Sequence, residues 1–140
     1  MVRLASALAM AALALAPAAG RAATATVAEV LNSSPLWADS QSHHACTVVN
    51  VSAFTVDVTI ELLGADGKVI ATTPTAFVAL TAGAITEVEN ANPYIGLARC
   101  RFTVFANPAV AVPPSVRANL TVFHSISAEV FQTYAVSEAR

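Results

Sequence analysis

Histidine, cysteine and aspartate are concentrated in one short segment of the sequence. His43 and His44 are adjacent, Cys46 follows them, Asp39 precedes them, and His124 lies far along the chain. Imidazole and thiolate groups are good ligands for zinc and copper, so one hypothesis is a metal site that uses His43, His44 and His124. Because neighbouring residues of a strand point to opposite faces, only one of His43 and His44 can join such a site. The alternative is a pair of exposed loop histidines.

A second group of side chains combines arginine with aromatic rings in the later part of the chain. Its members are Arg99, Arg101, Arg117, Phe105 and Phe123. Arginine and aromatic side chains that point outward from strands are typical of surfaces that contact other molecules. We expect these residues to form one small recognition surface for another exported protein or for a glycan. One alternative is a sheet edge that the last strand covers. Another is contact with a partner through the loops 32–44 and 90–96.

Two acidic residues, Asp57 and Glu61, belong to the outer face of the strand with the clearest pattern in the chain. If that strand pairs with the strand of Arg99 and Arg101, opposite charges meet across the ladder. Such contacts are structural, because a cross-strand pair of this kind contributes about 0.2–1 kcal/mol to folding. The sequence therefore predicts a charged, paired outer face for these two strands.

No constellation of catalytic residues is present in the sequence. It contains no nucleophile elbow, no paired-histidine zinc helix and no glycine-rich phosphate loop. Asp57 and Glu61 are about 13 Å apart along one strand, too far for the carboxylate pair of a glycosidase. Glu87 and Glu89 share a face about 7 Å apart, which suits either a calcium ion or a solvated strand end. We therefore expect a protein that is not an enzyme and that needs no cofactor.

The elements that must position these residues are β-strands. From Thr55 to Leu62 apolar residues alternate with polar ones, the period of two that gives a strand one buried and one wet face. Gly64, Asp66 and Gly67 follow, and they predict a hairpin turn. The segment from 98 to 105 alternates in the same way.

The whole chain shows short strand-like segments separated by turn residues. These segments are 24–31, 44–51, 55–62, 68–71, 75–80, 84–89, 98–105, 116–123 and 128–136. Residues 32–42 are predicted to be a turn region, and residues 107–115 are a proline-rich connection. No helix is indicated after the first 22 residues. The pattern predicts an all-β fold, an antiparallel two-sheet sandwich of about seven to eight strands, with a small barrel as the alternative.

The first residues differ in composition from the rest of the chain. A short positive start, an uncharged Ala/Leu run and a stretch of small residues follow one another, as in a secretory signal peptide. The apolar run is shorter than the roughly 20 residues that a membrane span needs, although an uncleaved anchor is the alternative. We predict a signal peptide over residues 1–22, cleaved after Ala18, Ala22 or Ala25 with Ala22 favoured. Residues 23–140 then form a single β-sandwich domain without a transmembrane segment.

Export fits the two cysteines and the charge of the chain. Two cysteines in an exported domain most simply form one disulfide, Cys46–Cys100, and the alternative is a pair of free thiols or metal ligands. Without Arg3 and Arg21 the chain keeps five basic residues against nine acidic ones. It therefore lacks the clustered Lys and Arg of a nucleic-acid-binding surface. We expect a secreted or periplasmic location and no nucleic-acid partner.

The cysteine positions and strand pattern resemble the immunoglobulin-like and fibronectin-III-like β-sandwich group. Cys46 falls on an early strand and Cys100 on a late one, as in the bridge between the two sheets of immunoglobulin domains. The segments 46–70, 77–88 and 100–105 are also similar to those of small exported bacterial proteins of unassigned function. The resemblance implies a binding or structural module of the bacterial periplasm or cell exterior. The alternative function is a periplasmic copper- or zinc-binding protein.

Overall fold

The computed structural model describes residues 26–127 and 130–140, so the predicted signal peptide lies outside the described residues. The described residues form ten strands. These are β1 (Thr26–Asn32), β2 (Leu36–Ala38), β3 (Ser42–Asn50), β4 (Val56–Gly64), β5 (Val69–Thr72), β6 (Val78–Leu80), β7 (Ile85–Glu89), β8 (Gly96–Ala106), β9 (Val116–Ser127) and β10 (Val130–Glu138). This part of the chain contains no helix long and apolar enough to cross a membrane.

The strands form two antiparallel sheets. The six-stranded sheet has the order β1-β8-β4-β5, and β2 and β6 add further pairs to β8 and β4. The four-stranded sheet has the order β10-β9-β3-β7. The predicted all-β, antiparallel two-sheet architecture is therefore confirmed, with ten strands in place of seven or eight.

The strand β2 lies in the segment that the sequence predicts to be a turn region. Only Leu36, Trp37 and Ala38 belong to it, and they pair with Ala98, Leu97 and Gly96 of β8. Three residues are too few to display a period of two, and the pairing that makes them a strand is distant in sequence. Local pattern could not reveal this element.

The core lies between the two sheets and follows the predicted alternation. Ile60 of β4 and Phe102 and Val104 of β8 are completely buried. Cys46 of β3 and Cys100 of β8 are also completely buried and form a disulfide, with their Cα atoms 5.7 Å apart. Because β3 and β8 belong to different sheets, this bond joins the two layers. The predicted disulfide is confirmed.

The charge pairing expected across β4 and β8 is present at one of its two positions. The guanidinium Nε of Arg101 lies 2.6 Å from Oε2 of Glu61, directly across the ladder. The register of the two strands places Asp57 opposite Phe105 and Arg99 opposite Leu63, so Asp57 and Arg99 do not face each other. The expectation of a second charge pair at Asp57 was therefore wrong.

Candidate functional site

The five residues predicted to form one recognition surface lie on two opposite faces of the protein. Arg99, Arg101 and Phe105 belong to β8 in the six-stranded sheet, whereas Arg117 and Phe123 belong to β9 in the four-stranded sheet. The connection from β8 to β9 crosses from one sheet to the other, so residues near in sequence are separated in space. The structure does not bring these five residues together.

One end of the six-stranded sheet presents an exposed aromatic residue beside an arginine. Trp37 pairs with Leu97, and the two side chains are 59% and 45% exposed on the outer face of the sheet. Arg99 follows two positions along β8 and therefore shares that face. We call Trp37, Leu97 and Arg99 the tryptophan face. A cavity of about 180 Å³ adjoins it, lined by Pro35, Gly64, Ala65, Leu97, Ala98 and Arg99.

The charge of Arg99 is not neutralised within the part of the chain that the structure describes. The ion pairs among these residues are Lys68–Asp66 and Arg101–Glu61, and the guanidinium of Arg99 forms neither a hydrogen bond nor an ion pair with them. Arg101, only two positions away, is held by Glu61 at 2.6 Å. Arg99 is thus the guanidinium of this face that remains available to an external acceptor.

The position of Trp37 depends on a buried histidine. His44 of β3 is completely buried, and its Nε2 lies 3.1 Å from the carbonyl oxygen of Leu36. Because a carbonyl can only accept, Nε2 carries the proton and donates it to this bond. Nδ1 is buried and has no hydrogen-bond partner among the described residues. Burial lowers the pKa of His44, although the Leu36 hydrogen bond opposes this effect. His44 therefore fixes the backbone next to Trp37 as a neutral ring.

The three histidines predicted as metal ligands lie on two sides of the four-stranded sheet, and His44 and His124 share one of them. His43 lies on the outer face of the four-stranded sheet, stacked on Phe123 with ring centroids 5.6 Å apart. By strand alternation His44 points to the opposite, inner side of the sheet. His124 shares that side, because it pairs with Ser42, which is two positions from His44 on β3. Cys46 is oxidised. Among the described residues there is no group of three or more His, Cys, Asp or Glu side chains that could hold a metal ion.

Asp39, the remaining member of the segment with metal-binding side chains, forms part of a turn. Its Oδ1 accepts hydrogen bonds from the hydroxyl of Ser42 at 2.8 Å and from the backbone N–H of Gln41 at 3.0 Å. These bonds, with the Ser42 hydroxyl first, lower the pKa of Asp39. The carboxylate therefore serves to begin β3, which carries the two histidines.

The outer face of the four-stranded sheet is the second surface with cavities. A cavity of about 520 Å³ is lined by Thr47, Val49, Ile85, Val116, Arg117, Ala118, Asn119, Val136, Glu138 and Ala139. A smaller one of about 260 Å³ is lined by Ala45, Glu87, Glu89, Thr121, Phe123 and Thr133. Arg117 and Phe123, predicted as binding residues, therefore line two neighbouring cavities on this sheet.

Comparison with known proteins gives one structural neighbour. No protein-family model matches the chain, and no curated protein matches it. The crystal structure of Thermotoga maritima 1070 is similar, with a TM-score of 0.51 and 11% sequence identity over 84% of this chain and 95% of that chain. At this identity the similarity shows the fold alone. The fold and the disulfide define an all-β two-sheet protein with an inter-sheet bridge.

Proposed function

We propose that this protein is an exported, non-enzymatic binding module that contacts another exported protein through the tryptophan face. The observation that carries the proposal is the 59% exposure of Trp37 beside Leu97 and the unpaired Arg99. Tryptophan and arginine are enriched among the residues that dominate binding energy at protein interfaces. An exposed tryptophan on a paired strand is held ready for contact and loses little conformational freedom on binding.

The chemistry of the face indicates what the partner presents to it. Trp37 and Leu97 offer apolar area, and the adjoining cavity of about 180 Å³ has room for an apolar side chain. Arg99 offers a planar donor group that fits a carboxylate. We infer that the partner segment carries an apolar side chain next to an Asp, a Glu or a C-terminal carboxylate.

The proposed location in the periplasm or outside the cell rests on two features. The disulfide Cys46–Cys100 belongs to the core, and structural disulfides of this kind form in oxidising compartments. The composition of residues 1–22 is that of a signal peptide. Both features favour export before or during folding.

We also infer an immunoglobulin-like organisation of the sandwich. The disulfide joins β3 of one sheet to β8 of the other, and β3 pairs with β7 while β4 pairs with β8. The immunoglobulin fold has the same inter-sheet bridge between its second and sixth strands and the equivalent pairs. Two departures are the absence of tryptophan from β4 and Ala98 in place of the tyrosine two residues before the second cysteine. A third departure is the sheet order, because β1 pairs with β8 and β9 with β3, whereas the immunoglobulin fold pairs its first strand with its second and its last with its sixth. The inference therefore concerns the inter-sheet bridge and the central strand pairs, and neither the full strand order nor membership of the antibody family.

The test uses residues 23–140 immobilised as bait in the exported fraction of the source organism. The baits are wild type, Trp37→Ala, Arg99→Ala and the matched control Val112→Ala, whose side chain is 64% exposed in the connection between β8 and β9. We expect the wild-type and Val112→Ala baits to retain equal amounts of one protein from this fraction. The Trp37→Ala and Arg99→Ala baits should retain at least tenfold less of it. A tenfold loss corresponds to about 1.4 kcal/mol. Equal retention by the Trp37 variant would refute the proposal.

A further inference from the structure

The outer face of the four-stranded sheet has a low centre between two higher borders. The middle of the central strands β3 and β9 places Ala45, Thr47, Asn119 and Thr121 there, all of them short side chains. The larger pairs His43–Phe123 and Val49–Arg117 lie on the same face at the two ends. The flanking strands carry longer ones, and the residues that share this face are Ile85, Glu87 and Glu89 on β7 and Val136 and Glu138 on β10. The result is a depression along the two central strands, which we call the trough.

The trough is long. Its two cavities, of about 520 and 260 Å³, lie on the same face. Thr47 lines the first and Glu87 the second, and the Thr47 hydroxyl donates to Oε2 of Glu87 at 2.8 Å. Four outward positions of β3, from residue 43 to residue 49, follow it over about 20 Å. At one end His43 stacks on Phe123. An elongated ligand with repeated units fits this shape better than a single small molecule.

The hydrogen-bonding groups of the trough include free donors and free acceptors. Oδ1 of Asn119 accepts from the Thr121 hydroxyl at 3.2 Å, which leaves the two Nδ2 hydrogens of Asn119 without a partner among the described residues. Arg117 likewise forms no ion pair with them. The carboxylates of Glu89 and Glu138 have no partner among the described residues, and Oε1 of Glu87 is free beside the Oε2 that accepts from Thr47. A ligand must therefore both donate and accept hydrogen bonds.

The charge of the trough excludes several ligand classes. Three carboxylates, Glu87, Glu89 and Glu138, face a single guanidinium, Arg117, so a polyanion is repelled. A purely apolar segment would bury these carboxylates without compensation, which is costly. A neutral chain rich in hydroxyl groups avoids both penalties, because each hydroxyl donates one hydrogen bond and accepts others. The apolar faces of its rings can pack on the side chains of Val49, Ile85 and Val136.

We propose that the trough binds a neutral oligosaccharide. Asn119 and Arg117 donate hydrogen bonds to its hydroxyl oxygens, and Glu87 and Glu138 accept hydrogen bonds from its hydroxyl groups. This site lies on the sheet opposite the tryptophan face and is independent of it. The protein can thus hold a glycan on one side and a protein partner on the other.

The test is nuclear magnetic resonance of ¹⁵N-labelled residues 23–140 with a panel of neutral hexasaccharides built from glucose, mannose, xylose or N-acetylglucosamine. We expect at least one of them to shift the backbone amides of β3 and β9 around Thr47 and Asn119. Asn119→Ala and the nearly isosteric Glu87→Gln should each lower the affinity for that saccharide at least tenfold. The control Val112→Ala should bind as wild type does.

The Glu87 variant keeps the test valid if the Asn119 variant does not fold. No shift with any of the four hexasaccharides at millimolar concentration would overturn the proposal. Shifts that occur only with heparin or only with an unrelated peptide would overturn it as well, since they would assign the surface to a polyanion or to a protein. None of these results depends on Trp37, so this proposal can fail while the proposed function stands.

Discussion

His44 shows how a residue with possible chemistry becomes a structural one in its surroundings. Its side chain is completely buried, Nε2 donates to the Leu36 carbonyl, and Nδ1 has no partner among the described residues. Protonation would place a cation in a completely buried position beside the ring of Tyr94, whose centroid lies 6.2 Å from that of His44. In the structure the ring of His44 holds β2 through the Leu36 carbonyl.

The lowered pKa of His44 makes stability depend on pH. The folded protein keeps the ring neutral while the unfolded chain protonates near pH 6.5, so the stabilising effect is complete above that value. As the pH falls from 6.5 toward the folded pKa, the free energy of unfolding decreases, with a slope of at most about 1.4 kcal/mol per pH unit. The measurement is urea unfolding of wild type and His44→Gln from pH 8 to pH 5.

Glutamine is the matched replacement for His44, because its amide can still donate to the Leu36 carbonyl and does not titrate. The difference between the two stability curves isolates this residue from His43 and His124. The two curves should converge as the pH falls from 6.5. Parallel curves over the whole range would contradict the assignment of a neutral, buried His44.

Asn50 is a second buried polar residue, and here every side-chain group is satisfied. Its Nδ2 donates to the carbonyls of Phe54 at 2.7 Å and Leu80 at 2.9 Å, and its Oδ1 accepts from the backbone N–H of Ser52 at 2.8 Å. It thereby ties together the end of β3, the connection before β4 and the end of β6. One amide group fixes three segments of the chain.

We expect Asn50→Ala to lower the free energy of unfolding by about 2–4 kcal/mol, because buried carbonyls lose their donors. Guanidinium unfolding measures this change. Asn107→Ala is the control, since that residue is exposed and its side chain bonds only the nearby Ala109 N–H. A loss for Asn50→Ala no larger than that of the control would contradict the bridging role.

At the scale of the elements, the long alternating strands could be predicted and the short ones could not. β4 and β8 expose polar residues on one side and bury apolar ones on the other, so their pattern determines both position and orientation. β2 has three residues and owes its existence to pairing with β8. The sequence therefore predicts a turn at Trp37. The signal that could have identified Trp37 as a candidate binding residue is the presence of a large aromatic side chain in a polar segment.

Sheet membership was the other feature that alternation could not determine. The pattern of β8 and β9 indicates which residues point outward, but not that the strands belong to different sheets. For this reason Arg99 and Arg117 were grouped on one surface, although the structure places them on opposite faces. The disulfide prediction did not depend on sheet membership, because it followed from the presence of two cysteines in a chain predicted to be exported.

At the scale of the whole molecule, the disulfide is the covalent link between the layers that carry the two proposed binding surfaces. Cys46 and Cys100 are 54 positions apart, so the bond closes a large loop of the unfolded chain. On the chain-entropy model such a loop contributes about 4 kcal/mol to stability. We expect Cys46→Ala with Cys100→Ala to lose about this amount, measured by guanidinium unfolding.

The control for the cysteine variant is the wild-type protein unfolded under reducing conditions, which breaks the same bond without creating the small voids that alanine leaves. The losses in free energy of unfolding of the variant and of the reduced wild type should agree within about 1–2 kcal/mol, the cost expected for those voids. Unchanged stability in both samples would mean that the disulfide contributes nothing to holding the two sheets together.

The most direct measurement of the central claim uses the fact that the sequence contains a single tryptophan. Protein labelled with 5-fluorotryptophan gives one ¹⁹F resonance, which reports on Trp37 alone even in a complex mixture. We predict that the exported fraction of the source organism broadens or shifts this resonance for wild type and Val112→Ala, and much less for Arg99→Ala. A resonance that keeps its free position and width in that fraction would contradict the account of Trp37 as the contact point for a protein partner.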